Sequence, residues 1–308
     1  MKSTVTIGIC VKNGASTLGS TIESIIKQEY PHELMDIIFV NDGSTDSTLL
    51  IIDQYLNKID IKTKIFSHEW KGLGYSRNVV INNATGKYIL WVDSDMILSQ
   101  NYLNKLVKFM EMNLDIGIAK GKYDLNSGLN LTSTLEIYSR SKKSVDIKSK
   151  NALPFGTGGS IYRSKAINEV GGFDNKLKGY GEDWNIEYKI KRNGWKFAYL
   201  ECYYSDYERL GITWNELWRK SFTHGYDAYK YSHINQGMYK LYKMIPPSSF
   251  LAGFYDSLIM YERTNKKIAF LLPIQYIFKS LAWCYGYSSA YLKLKQLRMR
   301  TRINYKKN

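Results

Sequence analysis

At 308 residues, 44% hydrophobic and 23% charged, the chain has the composition of an ordinary globular protein, long enough for one sizeable core plus an extension. Its three cysteines, Cys10, Cys202 and Cys284, are widely separated; that argues against a disulfide framework or a clustered-thiol metal site and points to reduced thiols in a cytosolic setting. The net charge of +15 is unevenly placed, with 17 Lys and Arg against 4 Asp and Glu in residues 209–308 and 26 against 24 before them, so a nearly neutral front joins a basic rear that asks for an anionic partner, membrane lipid or nucleic acid.

The first residues, Met1-Lys2-Ser3, run straight into an apolar stretch without the charged segment, apolar core and cleavage site of a signal peptide, and none is expected. Residues 5–11 read as a buried strand, Lys12-Asn13-Gly14-Ala15 as a turn, and residues 17–28 as a helix with Leu18, Ile22, Ile25 and Ile26 on one face. Residues 35–40 form a second strand that runs into Asn41-Asp42-Gly43-Ser44-Thr45-Asp46. Asp42, directly beyond the strand, is placed to grip a nucleoside by hydrogen bonds. Asp46 reads instead as a cap for the helix that follows. A third strand covers residues 62–67, and Gly72-Leu73-Gly74-Tyr75-Ser76-Arg77-Asn78 opens another helix. Glycines at a helix amino terminus make an anion site plausible, and Arg77 either reaches a phosphate, orients acidic neighbours or closes a structural ion pair.

Tyr88-Ile89-Leu90-Trp91-Val92 is the most strand-like run, and it leads into Asp93-Ser94-Asp95. In an extended backbone these two carboxylates point the same way, so Asp93 and Asp95 are expected to share a hard cation, Mg2+ or Mn2+, beyond the strand. The alternative is a turn in which both merely bond nearby backbone. Alternation of strand and helix calls for an α/β fold, a mainly parallel sheet with helices on both faces. Beyond it come a helix over 101–112 and a strand over 116–122. A polar stretch over 124–151 is expected to form a flexible segment on the acceptor side. Gly158-Gly159-Ser160 lets backbone approach a ligand closely. Gly181-Glu182-Asp183 then starts a helix ending at Asn193-Gly194. Its first-turn acids either balance the helix dipole or supply a base for an acceptor hydroxyl.

The succession resembles family 2 glycosyltransferases of the GT-A (Rossmann-like) fold. The residues that carry the likeness are Val5-Thr6-Ile7-Gly8-Ile9-Cys10-Val11-Lys12-Asn13, Phe39-Val40-Asn41-Asp42-Gly43-Ser44-Thr45-Asp46, Gly74-Tyr75-Ser76-Arg77-Asn78, Ala84-Thr85-Gly86, Asp93-Ser94-Asp95, Gly156-Thr157-Gly158-Gly159-Ser160, Val170-Gly171-Gly172-Phe173-Asp174 and Gly181-Glu182-Asp183. One departure is Val11-Lys12, where the family often has proline and tyrosine or threonine. The resemblance implies an inverting transferase in which Asn13, Asp42, Arg77, Asp93, Gly158 and Gly159 meet the nucleotide sugar. It further implies that Asp95 with Asp93 holds the metal, and that Asp183 is the base with Glu182 in support. Relatives often take a histidine as third metal ligand; here Asp206 or His224 stands in that role. Acceptors are expected to be glycans or lipid-linked glycans.

The division expected is a catalytic domain over residues 1–210 and a helical, basic extension over 211–308. In the extension, Trp214, Leu217, Trp218 and Phe222 share a helix face, and Arg219 or Lys220 is a candidate phosphate contact. Residues 268–292 form the most apolar run, interrupted by Lys279 and followed by Lys293, Lys295, Arg298 and Arg300. Apolar residues beside a basic cluster suit an interfacial helix on anionic lipid, which places the protein peripherally on the cytoplasmic face of a membrane; packing on the catalytic domain, a membrane pass and a homo-oligomer contact are the alternatives. Two other classes compete: a catalytically silent sugar-nucleotide or glycan-binding module, and a nucleic-acid-binding protein, for which no motif is present and no nucleic acid partner is expected.

Overall fold

The computed structural model describes residues 3–141, 156–178, 181–230 and 245–305. The strands and helices run β1 (Val5–Val11), α1 (Leu18–Ile26), β2 (Met35–Asp42), α2 (Thr48–Leu56), β3 (Lys62–His68), α3 (Leu73–Asn83), β4 (Tyr88–Trp91), β5 (Met96–Leu98), α4 (Tyr102–Met112), β6 (Ile116–Tyr123) and α5 (Leu131–Ser141). They continue through β7 (Ser160–Arg163), α6 (Ser164–Asn168), α7 (Glu182–Arg192), β8 (Lys196–Asp206), α8 (Tyr207–Leu210), α9 (Trp214–Lys230), α10 (Pro246–Thr264) and α11 (Leu272–Tyr305).

The eight strands form one sheet in the order β3-β2-β1-β4-β7-β6-β8-β5. The β3-β2-β1-β4 half is parallel throughout, as the strand and helix alternation requires. Antiparallel ladders enter only with β7 and β5, while β6 and β8 run parallel. Alternate residues of the buried strands supply two cores. Ile37 and Phe39 face α1, α2 and α4 through Leu18, Ile22, Ile52 and Leu103. Ile38 and Val40 face α3, α6 and α7 through Val80, Ile167 and Ile186. Helices cover both faces of β2, so it is buried from end to end and apolar from Ile37 to Val40. The carboxyl ends of β1, β2 and β4 therefore lie along one edge, where loops carry the polar residues.

The chain separates into two compact units, residues 1–128 with 143–210 and residues 129–142 with 211–308. The polar stretch at 124–151 is thus not one open segment. Its residues 131–141 are α5, with Leu135, Glu136, Ile137 and Tyr138 buried, grouped with the carboxyl-terminal helices; residues 142–151 lie outside those described. Buried contacts with α11 outweigh the polar composition that suggested a loop. Within the second unit, α9 and α11 meet through Trp214 and Trp218 on Phe278 and Tyr229 on Tyr287. The segment Lys267–Lys295 is long and apolar enough to cross a membrane, with a mean hydropathy of 1.3 over its most apolar window.

Candidate active site

β4 stops at Trp91, and the Val92 N–H still donates to the Gly8 carbonyl at 3.1 Å, so Asp93 is the first residue past the ladder. The chain then turns: the Met96 N–H donates to the Asp93 carbonyl at 3.1 Å, and the Tyr207 N–H to the Asp95 carbonyl at 2.6 Å. Asp93 and Asp95 consequently sit in a turn, not at successive same-face positions of an extended strand, which corrects the geometry expected for the pair. Asp93 keeps solvent access while protein crowds its carboxyl, the combination found on the floor of an open cleft. Desolvation there raises its pKa above the ordinary value, Arg77 lowers it, Asp206 raises it, and Lys120 and Arg209 lower it.

The Gly156–Ser160 loop is the second wall. It is pinned by the Ser160 hydroxyl donating to the Gly156 carbonyl at 2.7 Å and by the Gly159 N–H donating to the Trp91 carbonyl at 2.8 Å. A Cβ at Gly158 would stand 2.2 Å from Asp93 Oδ2, so only glycine permits this approach. Two residues earlier, a Cβ at Gly156 would meet Asp183 Oδ2 at 3.3 Å. One short loop therefore approaches both acidic clusters, and Asp93 and Asp183 both act electrostatically on Arg77.

Asp183 stands in the first turn of α7, half-buried, with Oδ1 accepting from the Trp184 N–H at 2.8 Å. Glu182 beside it is buried and takes a 2.6 Å ion pair from Arg77 Nη1; the Arg77 guanidinium also lies 5.4 Å over the Phe173 ring. Of the roles open to Arg77, the structure shows the ion pair, with Glu182 as its partner. Burial raises the Glu182 carboxyl, the Asp183 charge raises it further, and Arg77 offsets part of this. Arg77 itself feels burial downward, but Glu182, Asp93 and Asp183 outweigh it and hold its pKa above the usual value. A guanidinium does not deprotonate in such company.

On the β1 and β2 side, Asn13 adopts φ of 55°, accepts from the Thr45 N–H at 2.8 Å and donates its own N–H to Ser44 Oγ at 2.9 Å. Asp42 is buried and accepts from the Lys71 and Gly72 N–H groups at 2.7 and 3.0 Å, bracing the loop that precedes α3, with His68 Nδ1 3.4 Å away. His68 is half-buried there. Asp46 accepts from the Thr48 N–H at 3.0 Å, one residue before Ser47, which holds the N-cap position of α2. At the Val11-Lys12 departure, Lys12 Nζ sits 4.9 Å over the ring of Trp70, which is 52% exposed.

Asp206 is buried in an ion pair with Arg209 and acts electrostatically on Asp93. His224 belongs to α9 in the other unit. Among the described residues, no group of three or more His, Cys, Asp or Glu gathers to hold an ion. The donors present nevertheless fit Mg2+ or Mn2+: hard carboxylate oxygens, with Asp93 open to solvent and seated where a Cβ at position 158 would close the cradle. Such ions are commonly held by one or two carboxylates, with phosphates and water completing the shell. The sequence reading missed Lys120, a strand residue 7% exposed whose Nζ donates to the Gly156 carbonyl at 3.3 Å. Its only signal was a lysine among Ile116, Ile118 and Ala119, where a buried charge needs a reason.

Residues 6–171 match the family model described as Glycosyl transferase family 2. Among curated proteins, the chain is 32% identical over 99 residues to poly(ribitol-phosphate) beta-N-acetylglucosaminyltransferase TarS of Staphylococcus aureus, covering 32% of this chain and 17% of that protein. It is 26% identical over 230 residues to glycosyltransferase GlyA of Streptococcus pneumoniae, covering 70% and 32%. The chain thus spans well under half the length of these relatives. Among solved structures, the mannosyltransferase PcManGT from Pyrobaculum calidifontis, in complex with GDP-Man and Mn2+, superposes with a TM-score of 0.66 at 14% identity, covering 94% of this chain and 87% of that one.

Proposed function

The chain belongs to glycosyl transferase family 2, and on that premise we propose that it moves a sugar from a nucleotide-diphosphate donor to an acceptor hydroxyl, with inversion at the anomeric carbon. The observation that carries this reading is the single loop in contact with Asp93 at Gly158 and with Asp183 at Gly156. Asp183 takes the proton of the acceptor hydroxyl, the hydroxyl oxygen bonds to the anomeric carbon, and the bond from that carbon to the diphosphate oxygen breaks. The helix amino terminus favours the ionised form of Asp183. Glu182, tied to Arg77, fixes the turn from which Asp183 projects. Asp93 and Asp95 would hold Mg2+ or Mn2+, which supplies positive charge against the departing diphosphate. Lys120 keeps the Gly156 carbonyl, and with it the loop, in place.

Relatives whose names include a polymer acceptor support a glycan or lipid-linked acceptor, and the basic rear supports work at the cytoplasmic face of an anionic membrane. A screen of sugar nucleotides with Mn2+, followed by Asp183→Asn, tests the chemistry. The variant should lose turnover by roughly 10^2–10^4-fold with donor affinity nearly unchanged. Equal loss of both overturns the base role. Donor binding with no nucleotide released under any condition would favour the silent binding module.

A further inference from the structure

α10 is folded inside out. Its buried residues are Ser249, Gly253, Asp256, Ser257 and Met260, whereas Phe250, Leu251, Phe254, Tyr255 and Leu258 are 45–68% exposed. These five recur one, four, five and eight positions on from the first, so they form one stripe along the helix. A helix packed on an aqueous domain shows the opposite arrangement. α11 repeats the pattern: Gln275, Ser280, Ala282 and Ala290 are buried, while Ile274, Leu281, Tyr285 and Leu292 are 48–62% exposed on one stripe.

The polar interior is satisfied within the unit. The Tyr276 hydroxyl donates to Asp256, and buried Glu136 receives Arg140 Nε and Lys279 Nζ, each at 2.7 Å. Lys279, the charge that interrupts the apolar run, is thereby turned inward. Gly225 and Gly286 let α9 and α11 touch backbone to backbone, since a Cβ at either would lie 2.0 Å from a carbonyl oxygen of the other helix. Small residues at helix contacts, charges paired inward and apolar side chains outward are the rules of helices in lipid. At the ends of the apolar stripes stand exposed Arg263, Lys266, Lys267, Lys293 and Lys295.

We infer that the outward stripe of α10, continued by that of α11, inserts among the acyl chains of an anionic bilayer, with the flanking cations on its headgroups. Lipid fits better than a second copy of the chain, because Arg263, Lys266, Lys267, Lys293 and Lys295 flank the stripes, and like charges would meet across such a contact. On α10 alone the exposed apolar area is roughly 500 Å2, the size at which surface patches mark an interaction site. The inference deepens the membrane part of the proposed function and does not depend on sugar transfer.

The test uses the full chain, floated with vesicles of phosphatidylcholine containing a minority of phosphatidylglycerol. Wild type should stay bound in about 1 M salt, where screening acts over about 3 Å. Leu251→Asp with Phe254→Asp should weaken that salt-resistant binding by at least about tenfold, and Met112→Asp, on the sheet unit, should not. Nucleotide-sugar binding is measured on the same variants, so a failed donor reading is told apart from failed insertion. Binding that salt abolishes in wild type, or that the double variant retains, overturns the proposal. So does a lipid-free dimer that the double variant converts to monomer, since a second copy would then cover the face.

Discussion

Two buried glutamates show how differently the two units are built. Glu182, in the sheet unit, meets Arg77 at 2.6 Å, but that guanidinium also answers to Asp93 and Asp183, so negative charge is left in excess. Glu136, in the helical unit, meets both Arg140 and Lys279 at 2.7 Å. In the proposed reaction the first cluster would be completed by a cation or by a proton from an alcohol; the second is complete by itself. Charge imbalance beside a solvent-reachable cleft is a mark of a working site, and balance inside a helix bundle is a mark of packing. Apolar residues follow the same division, turned inward around the sheet and outward along α10 and α11.

The widest separation between the two clusters is expected from removing one cation in each. Arg77→Ala strands Glu182 as a buried charge and should cost roughly 3–5 kcal/mol in denaturant unfolding of the sheet unit. Lys279→Met leaves Arg140 on Glu136 and should cost about 1–2 kcal/mol; equal losses would erase the contrast. Next in size, Asp95→Ala should lower transfer by roughly 10^2–10^3-fold with the thermal midpoint unmoved, and wild-type turnover with the correct donor would remove Asp95 from the mechanism. A subtler probe is Gly158→Ala, whose Cβ would press on Asp93 Oδ2 from 2.2 Å. We expect about a tenfold loss of activity through weaker metal and donor affinity, read by titrating Mn2+.

The smallest effect concerns stability alone. Burial by itself would raise the Glu111 carboxyl, but hydrogen bonds from Ser3, Tyr88 and Lys87 outweigh it and bring the pKa from 4.5 down to about 2. A carboxylate depressed on folding stabilises the fold above its unfolded pKa and loses that contribution as pH falls through the folded one. Stability of the sheet unit should therefore decline between about pH 4.5 and 2, and Glu111→Gln should flatten that part of the unfolding curve.

Much of the sheet unit was legible because its signals are local. Continuous apolar runs at β1, β2 and β4 announce strands buried on both faces, and the carboxylates directly beyond them mark the edge where ligands bind. The meeting of Asp93 with Asp183 followed from that placement and from the resemblance together. Other features depend on partners far away in the chain. The Arg77 and Glu182 pair spans 105 positions, and nothing in the spacing selects Glu182 over a phosphate. Lys120 carries no periodic signal, and α5 is polar enough to read as a loop until Glu136 finds Lys279. The reversal of α10 was hidden for another reason: periodicity shows that a helix has two faces but not which one is turned to solvent.

Gly156 and Gly158 stand two places apart, one against each carboxylate, and the loop they share is pinned to Trp91 and Lys120. In the proposed reaction, preferences for the incoming alcohol and for the activated sugar would therefore be mechanically joined. A designer who rebuilds this stretch to admit a bulkier donor will also displace Asp183, the base of the proposed transfer. Altered selectivity is better sought in side chains that border only one half of the cleft.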